Sequence, residues 1–226
     1  MGVFLTQILI CFWVIIIMAK HKQSIDIKVI NRIYGHGRGW VFTPKHFSDL
    51  GSRDAVAAAL KRYRQTGPIR QLARGLYDFP RTDPALGMLS PSPDAIAQAL
   101  AGRDAVRLQP SGAYAANLLG LSTQVPMKLV YLTDGPSRMV VIGKKQILLR
   151  RTTPRNMATA GRISGLVIQA LRHLGRAHVD ETILAQLDRR LDAAGRAQLL
   201  KDLRYAPSWI AEIMRRLGQS IEMERS

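Results

Sequence analysis

SRDAVAAALKRYRQTGPIRQLARGLYDFPR, residues 52–81, decides how this chain is read. Ser52 is placed to cap a helix over RDAVAAALKRYRQT, because a serine oxygen satisfies an orphan N–H at a helix start. Val56, Ala59, Leu60 and Tyr63 recur at helical spacing and define its buried side. Arg53, Ala57, Lys61 and Arg64 fall along a flank of the opposite, solvent-facing side. Gly67-Pro68 stops the helix. IRQL and LYDF then alternate apolar and polar residues around Ala73-Arg74-Gly75. That pattern predicts a small β-hairpin with an arginine at its tip, where Gly75 supplies the backbone freedom of a tight turn.

Upstream, Ser24 caps SIDIKVINRIY, in which Ile25, Val29, Ile30 and Ile33 form a helical stripe. GHGRG ends it, WVF is a short strand or extended link, and Thr43 caps PKHFSDL with Pro44 at the first helical position. The order helix, short helix, tight turn, basic helix, hairpin is the plan of a winged helix-turn-helix. In that plan the second helix of the pair enters a major groove about 12 Å wide. Ser52 and Arg53 stand at the end that approaches bases and phosphates. Ala57 is small enough for close approach, and Lys61 and Arg64 extend the same flank. Arg74 is placed to enter a minor groove or clamp a phosphate, with Gly75 beside it, and Arg70 to grip phosphate from the first wing strand.

PRTDPALGMLSPSP reads as a linker. PDAIAQALAG and SGAYAANLLGL read as short helices, and MKLVYL, SRMVVIG and QILLRRT as strands. Three or four amphipathic helices follow: ATAGRISGLVIQALRHLG, DETILAQLDRR, AAGRAQLLKDLRYA and PSWIAEIMRRLG. The fold class expected is therefore α+β. A winged helix-turn-helix occupies residues 18–81, a small central α+β unit residues 82–153, C-terminal helices residues 154–218 and a frayed tail residues 219–226.

The charge agrees with a polyanionic partner. The chain carries 33 Lys and Arg against 16 acids, a net +17. Nucleic acid is the first class of partner this implies and an anionic membrane the second. The excess is +9 over residues 20–81 and only +3 over residues 161–226. The central unit adds Lys128, Arg138, Lys144, Lys145, Arg150 and Arg151, a candidate second basic surface for nucleic acid or for an acidic protein.

Catalytic signals are sparse. GHGRG follows a helix and precedes a strand, the reverse of a phosphate-binding fingerprint. His173 and His178 lack Cys partners and an H-E-x-x-H context, so they read as surface or capping residues. His36 and His46 have no triad setting, and Asp180 and Glu181 suit a helix start. A nuclease wants clustered carboxylates for a metal, yet residues 103–160 hold only Asp104 and Asp134. The expectation is no enzyme activity, no catalytic residue, no metal and no cofactor. Cys11 is the only cysteine, which excludes an intramolecular disulfide and fits a reducing cytoplasm.

MGVFLTQILICFWVIIIM, ending at Met18, is almost wholly apolar. It lacks the basic start and cleavage site of a signal peptide and is short for a spanning helix. Residues 1–17 therefore read as an over-extended start, with Met18 as the true one, or as a membrane anchor whose following AKHK keeps the rest cytoplasmic. Met1-Gly2 with Thr6 also fits a short myristoylation pattern.

IRQLARGLYDFP, AYAANLLGLSTQVP, VYLTDGPSR and QILLRRT, in that order, resemble the AbiEi-type antitoxins of type IV toxin–antitoxin systems. The likeness spans roughly Ser24 to Tyr205 and leaves out residues 1–17. It implies a winged helix that represses its own operon and a C-terminal part that counters a nucleotidyltransferase-like toxin. The partners so implied are double-stranded DNA at the chain's own operator, that toxin, and a second copy where half-sites repeat. The alternative is a stand-alone or membrane-tethered winged-helix regulator without a toxin.

Overall fold

The computed structural model describes residues 24–102 and 106–223. It is a mixed α+β protein. Helix α1 spans Ile25–His36, strand β1 Val41–Phe42, a 3₁₀ turn Pro44–Phe47, and helix α2 Arg53–Thr66. The serine caps act as their positions predict. Ser24 Oγ accepts the Ile27 N–H at 3.4 Å and Ser52 Oγ the Ala55 N–H at 3.3 Å. Gly67 closes α2 in the left-handed region at φ +99°, where a Cβ would cost energy.

Strands β2 (Arg70–Ala73) and β3 (Leu76–Asp78) form an antiparallel hairpin, and β1 joins β3, giving the order β1-β3-β2. Arg74-Gly75 is the whole turn, with Gly75 at φ +71°. The register shifts between Gln71 and Ala73, so the hairpin carries an irregularity just before its tip. Val29, Ile33, Phe42, Phe47, Val56, Ala59, Leu60, Ile69 and Phe79 are buried together between helices and sheet. Each large side chain so buried contributes roughly 1.5–3 kcal/mol. Arg62 bonds both Asp26 oxygens, and Arg32 bonds both Asp49 oxygens at 2.7 Å, so charge pairs tie α2 to α1 and α1 to the turn before α2.

Residues 82–92 differ from the expected linker. Strands β4 (Thr82–Asp83) and β5 (Gly87–Met88) pair as a minimal hairpin. Asp83 Oδ1 accepts the N–H groups of Ala85 and Leu86 at 2.8 and 2.9 Å, which closes the turn from within. Two-residue strands leave almost no periodic signal for a sequence reading to find.

Helix α3 (Pro93–Ala101), strand β6 (Leu108–Ser111), helix α4 (Ala113–Leu118) and strands β7 (Lys128–Thr133), β8 (Arg138–Ile142) and β9 (Lys145–Arg151) follow. The sheet order is β6-β7-β9-β8, with β7 and β9 parallel. Strand β6 has no counterpart in the sequence reading. Pro110 argues against a strand, and it is tolerated because β6 lies at the sheet edge. The C-terminal part comprises α5 (Pro154–Met157), α6 (Ile163–Leu174), α7 (Glu181–Arg190), α8 (Ala193–Lys201) and α9 (Ser208–Met223). Helix continues through Met223, past the expected start of a frayed tail at residue 219. Buried Asp202 knots this part together, accepting bonds from Arg162 at 2.9 Å, Ser164 Oγ and Gln198 at 2.8 Å.

Packing runs across the boundaries read at 81/82 and 153/154. Val41 and Leu76 are buried with Ile96, Leu129, Tyr131 and Leu149 of the central unit. Ala115 and Ala116 of α4, with Leu119 just after it, join Val167, Leu171, Leu187 and Met214 of the C-terminal helices. Among the described residues no helix is long and apolar enough to cross a membrane. The apolar segment 1–17, with its alternatives of late start or anchor, lies outside the described residues.

Candidate nucleic-acid interface

Helix α2 presents two sides with opposite chemistry. Val56, Ala59 and Leu60 are buried against the core. Arg53, Ala57, Lys61 and Arg64 are exposed. Ser52 holds the first turn, and Asp54 beside it complements the positive end of the helix. Arg53 and Lys61 have no carboxylate partner among the described residues. Arg64 is steadied by the Gln71 amide oxygen, which fastens the end of α2 to the hairpin. Arg62 is one residue from Lys61 but points the other way, into Asp26.

The hairpin projects Arg74 into solvent, without an ion pair among the described residues. One groove of about 550 Å³ brings Pro44, Lys45, Ser48 and Arg53 to the same place as Gly75. A second, of the same volume, is lined by Arg64, Arg70, Gln71 and Arg74. The start of α2 and its end therefore each share a concave surface with the hairpin. Lys45 was missed by sequence reasoning. Its signal is its place beside Pro44 at the start of the short helix, which gave no reason to expect the hairpin tip nearby.

Arg70 has a partner within the fold. Its Nε and one terminal nitrogen bond the two oxygens of buried Asp78 at 3.1 and 2.6 Å, and that nitrogen also donates to the Leu89 carbonyl at 2.9 Å. Asp78 is only 1% exposed. An unpaired charge there would be costly, so Arg70 serves the fold and ties β2 to the segment after β5.

The six central cations do not make one surface. Cross-strand register pairs residues on the same face. Lys128 and Arg150 lie on the face that carries Val130 and Leu148. Lys145, Arg151 and Arg138 lie on the opposite face, that of Ile147 and Leu149, and Lys144 sits in the β8–β9 turn. Arg138 is also partly withdrawn, donating to the Leu100 carbonyl at 2.6 Å.

Several other titratable groups are engaged within the fold. Tyr131 and Tyr114 donate to the two oxygens of Asp94 at 2.6 and 3.2 Å, and burial raises both phenols above their ordinary value, Tyr131 the more strongly. Arg107 bonds Asp134 at 2.8 Å and holds its carboxyl below the usual range. Asp180 caps α7 by accepting the Ile183 N–H, and Glu181 meets Arg216 at 2.8 Å. His178 Nδ1 lies 2.9 Å from the Leu174 carbonyl oxygen, and His36 stacks on Trp40. Among the described residues no three His, Cys, Asp or Glu side chains cluster as a metal set.

No curated protein matches this chain. The family model described as "Family of unknown function (DUF6088)" matches residues 28–198, and the chain belongs to that family.

Proposed function

We propose that this protein is a DNA-binding antitoxin and transcriptional autorepressor of a type IV toxin–antitoxin operon, with residues 18–81 acting as a winged helix-turn-helix. One observation carries the DNA-binding part. Strand order β1-β3-β2 sets the Arg74-Gly75 turn beside an exposed cationic flank on α2. In a winged helix such a helix reads a major groove while the hairpin grips the flanking backbone or minor groove.

Ser52, Arg53, Ala57, Lys61, Arg64, Arg74 and Gly75 are the residues assigned to that grip. Arg70 lines the same groove as Arg64 and Arg74 and, held by Asp78, is assigned the positioning of the hairpin. Phosphate contacts supply affinity and orientation, so exposed cations without carboxylate partners are the useful ones. The antitoxin part rests on the resemblance of the quoted motifs to AbiEi-type proteins.

The test is fluorescence anisotropy of the full chain on DNA from upstream of its own gene, against a shuffled sequence of equal length. Preference for the upstream fragment at 150 mM salt is expected; equal binding to both rejects autorepression. Co-expression with an adjoining nucleotidyltransferase-like reading frame tests the second half. Relief of growth arrest is expected, and no relief by a well-expressed antitoxin leaves the stand-alone regulator.

A further inference from the structure

A polar cleft of about 290 Å³ opens where α6 meets the uncovered half of the four-stranded sheet. Arg150 reaches it from β9, on the same sheet face as Leu132. Thr152 follows that strand, and Asn156 comes from α5. Gln169, Arg172 and His173 come from α6, at the i, i+3, i+4 spacing that puts them on one side of a helix. No Asp or Glu lines the cleft.

Hydrogen bonding inside the cleft uses up acceptors and leaves donors. Asn156 Nδ2 donates to Thr152 Oγ1 at 2.9 Å. Arg172 donates to Asn156 Oδ1 at 3.0 Å. Ser111 Oγ donates to Gln169 Oε1 at 3.1 Å. Gln169 is only 6% exposed, and its Nε2 makes no bond among the described residues. The Arg150 guanidinium is likewise without a partner there. Gln169 Nε2, the Thr152 hydroxyl, Arg150 and the rest of Arg172 therefore present protons to one space from strand, loop and helix. Arg172 is also held below its ordinary basicity, first by burial and then by nearby Arg155. A bound anion would offset the repulsion from Arg155.

We infer that this cleft binds the phosphate of a small phosphorylated ligand. Donors from three elements suit a tetrahedral oxyanion better than a planar carboxylate, and paired arginines suit a dianion. The volume is at the small end for ligand sites, roughly 300 Å³, so it admits a phosphate with part of its carrier and not a duplex. The site is distinct from the α2–hairpin grip and does not depend on the DNA-binding reading.

The experiment is calorimetric titration of the full chain in 150 mM chloride with inorganic phosphate, a nucleoside monophosphate, and a dinucleotide with either a 5′-phosphate or a 5′-hydroxyl. Saturable binding of the phosphorylated compounds is expected, with the 5′-hydroxyl form at least about tenfold weaker. Tighter binding of the monophosphate than of inorganic phosphate assigns the site to a carried phosphate. Equal binding assigns it to the phosphate alone, and either result supports the site. Arg150→Ala is expected to weaken binding at least about tenfold, as is Arg172→Ala, while the melting temperature of Arg150→Ala stays unchanged. Arg189→Ala removes one exposed charge elsewhere and leaves phosphate binding intact. No binding up to 10 mM, equal binding of the 5′-hydroxyl dinucleotide, or an equal loss from Arg189→Ala overturns the inference.

Discussion

The N-terminal unit and the C-terminal helices use the same device with different remainders. In residues 24–81, Asp26, Asp49 and Asp78 are each engaged by an arginine that holds the unit together. Nothing acidic is then left to neutralise Lys61 or Arg74, and Asp54 is committed to a helix start. In the C-terminal helices, Asp188, Glu181 and Asp202 are also paired, with Arg196, Arg216 and Arg162. There the total is nearly balanced, at +3 over residues 161–226 against +9 over residues 20–81. The ion pairs thus sort the arginines. Those that meet a carboxylate build the fold, and those that do not define an electrostatic face.

That sorting predicts unequal consequences for neighbouring residues. Asp78→Ala is the most damaging change, expected to cost about 3 kcal/mol in denaturant unfolding, because it strands Arg70 beside an apolar core. A loss below about 0.5 kcal/mol would place Arg70 among the surface cations after all. Ser52→Ala should cost about 1 kcal/mol by freeing the Ala55 N–H, with helix content falling before sheet content. Gly75→Ala should cost about 1 kcal/mol from its left-handed turn, and it should weaken DNA binding more than its stability loss explains.

The smallest effect is electrostatic and lies in the central unit. Arg107 keeps the Asp134 carboxyl below its unfolded value. The stability this contributes is fully present above the unfolded carboxylate range, near pH 4, and is lost as pH falls through the lower folded value. Thermal melts from pH 5 to pH 2 should show Asp134→Asn losing less of its stability than the parent. Identical pH profiles would remove the ion pair from the account.

The legible part of the molecule was the part with regular periods or strong punctuation. Ser52, the Val56–Leu60 stripe and Gly67 delimit α2 closely, and Gly75 marks the hairpin turn, because each rests on local chemistry. What was not legible depended on distant partners. Arg70 and Arg74 look alike in sequence, and only the approach of Asp78 and Leu89 separates them. The six central cations look like one cluster until strand register divides them between two faces. β4 and β5 are too short to show a period. The cleft at Arg150 and Arg172 joins residues 22 apart through a mixed sheet and a packed helix, and no local pattern announces that.

The most direct measurement of the central claim is the salt dependence of operator binding for two charge-matched double variants. Lys61→Ala with Arg74→Ala removes two cations from the α2–hairpin face, and Arg176→Ala with Arg189→Ala removes two from the C-terminal helices. The first pair should lower the slope of log affinity against log salt by about 1.8, some 0.9 for each lost phosphate contact. The second should leave the slope unchanged. Equal slopes for both variants would contradict the account, since the DNA would then respond to total charge and not to the surface that α2 and its hairpin present.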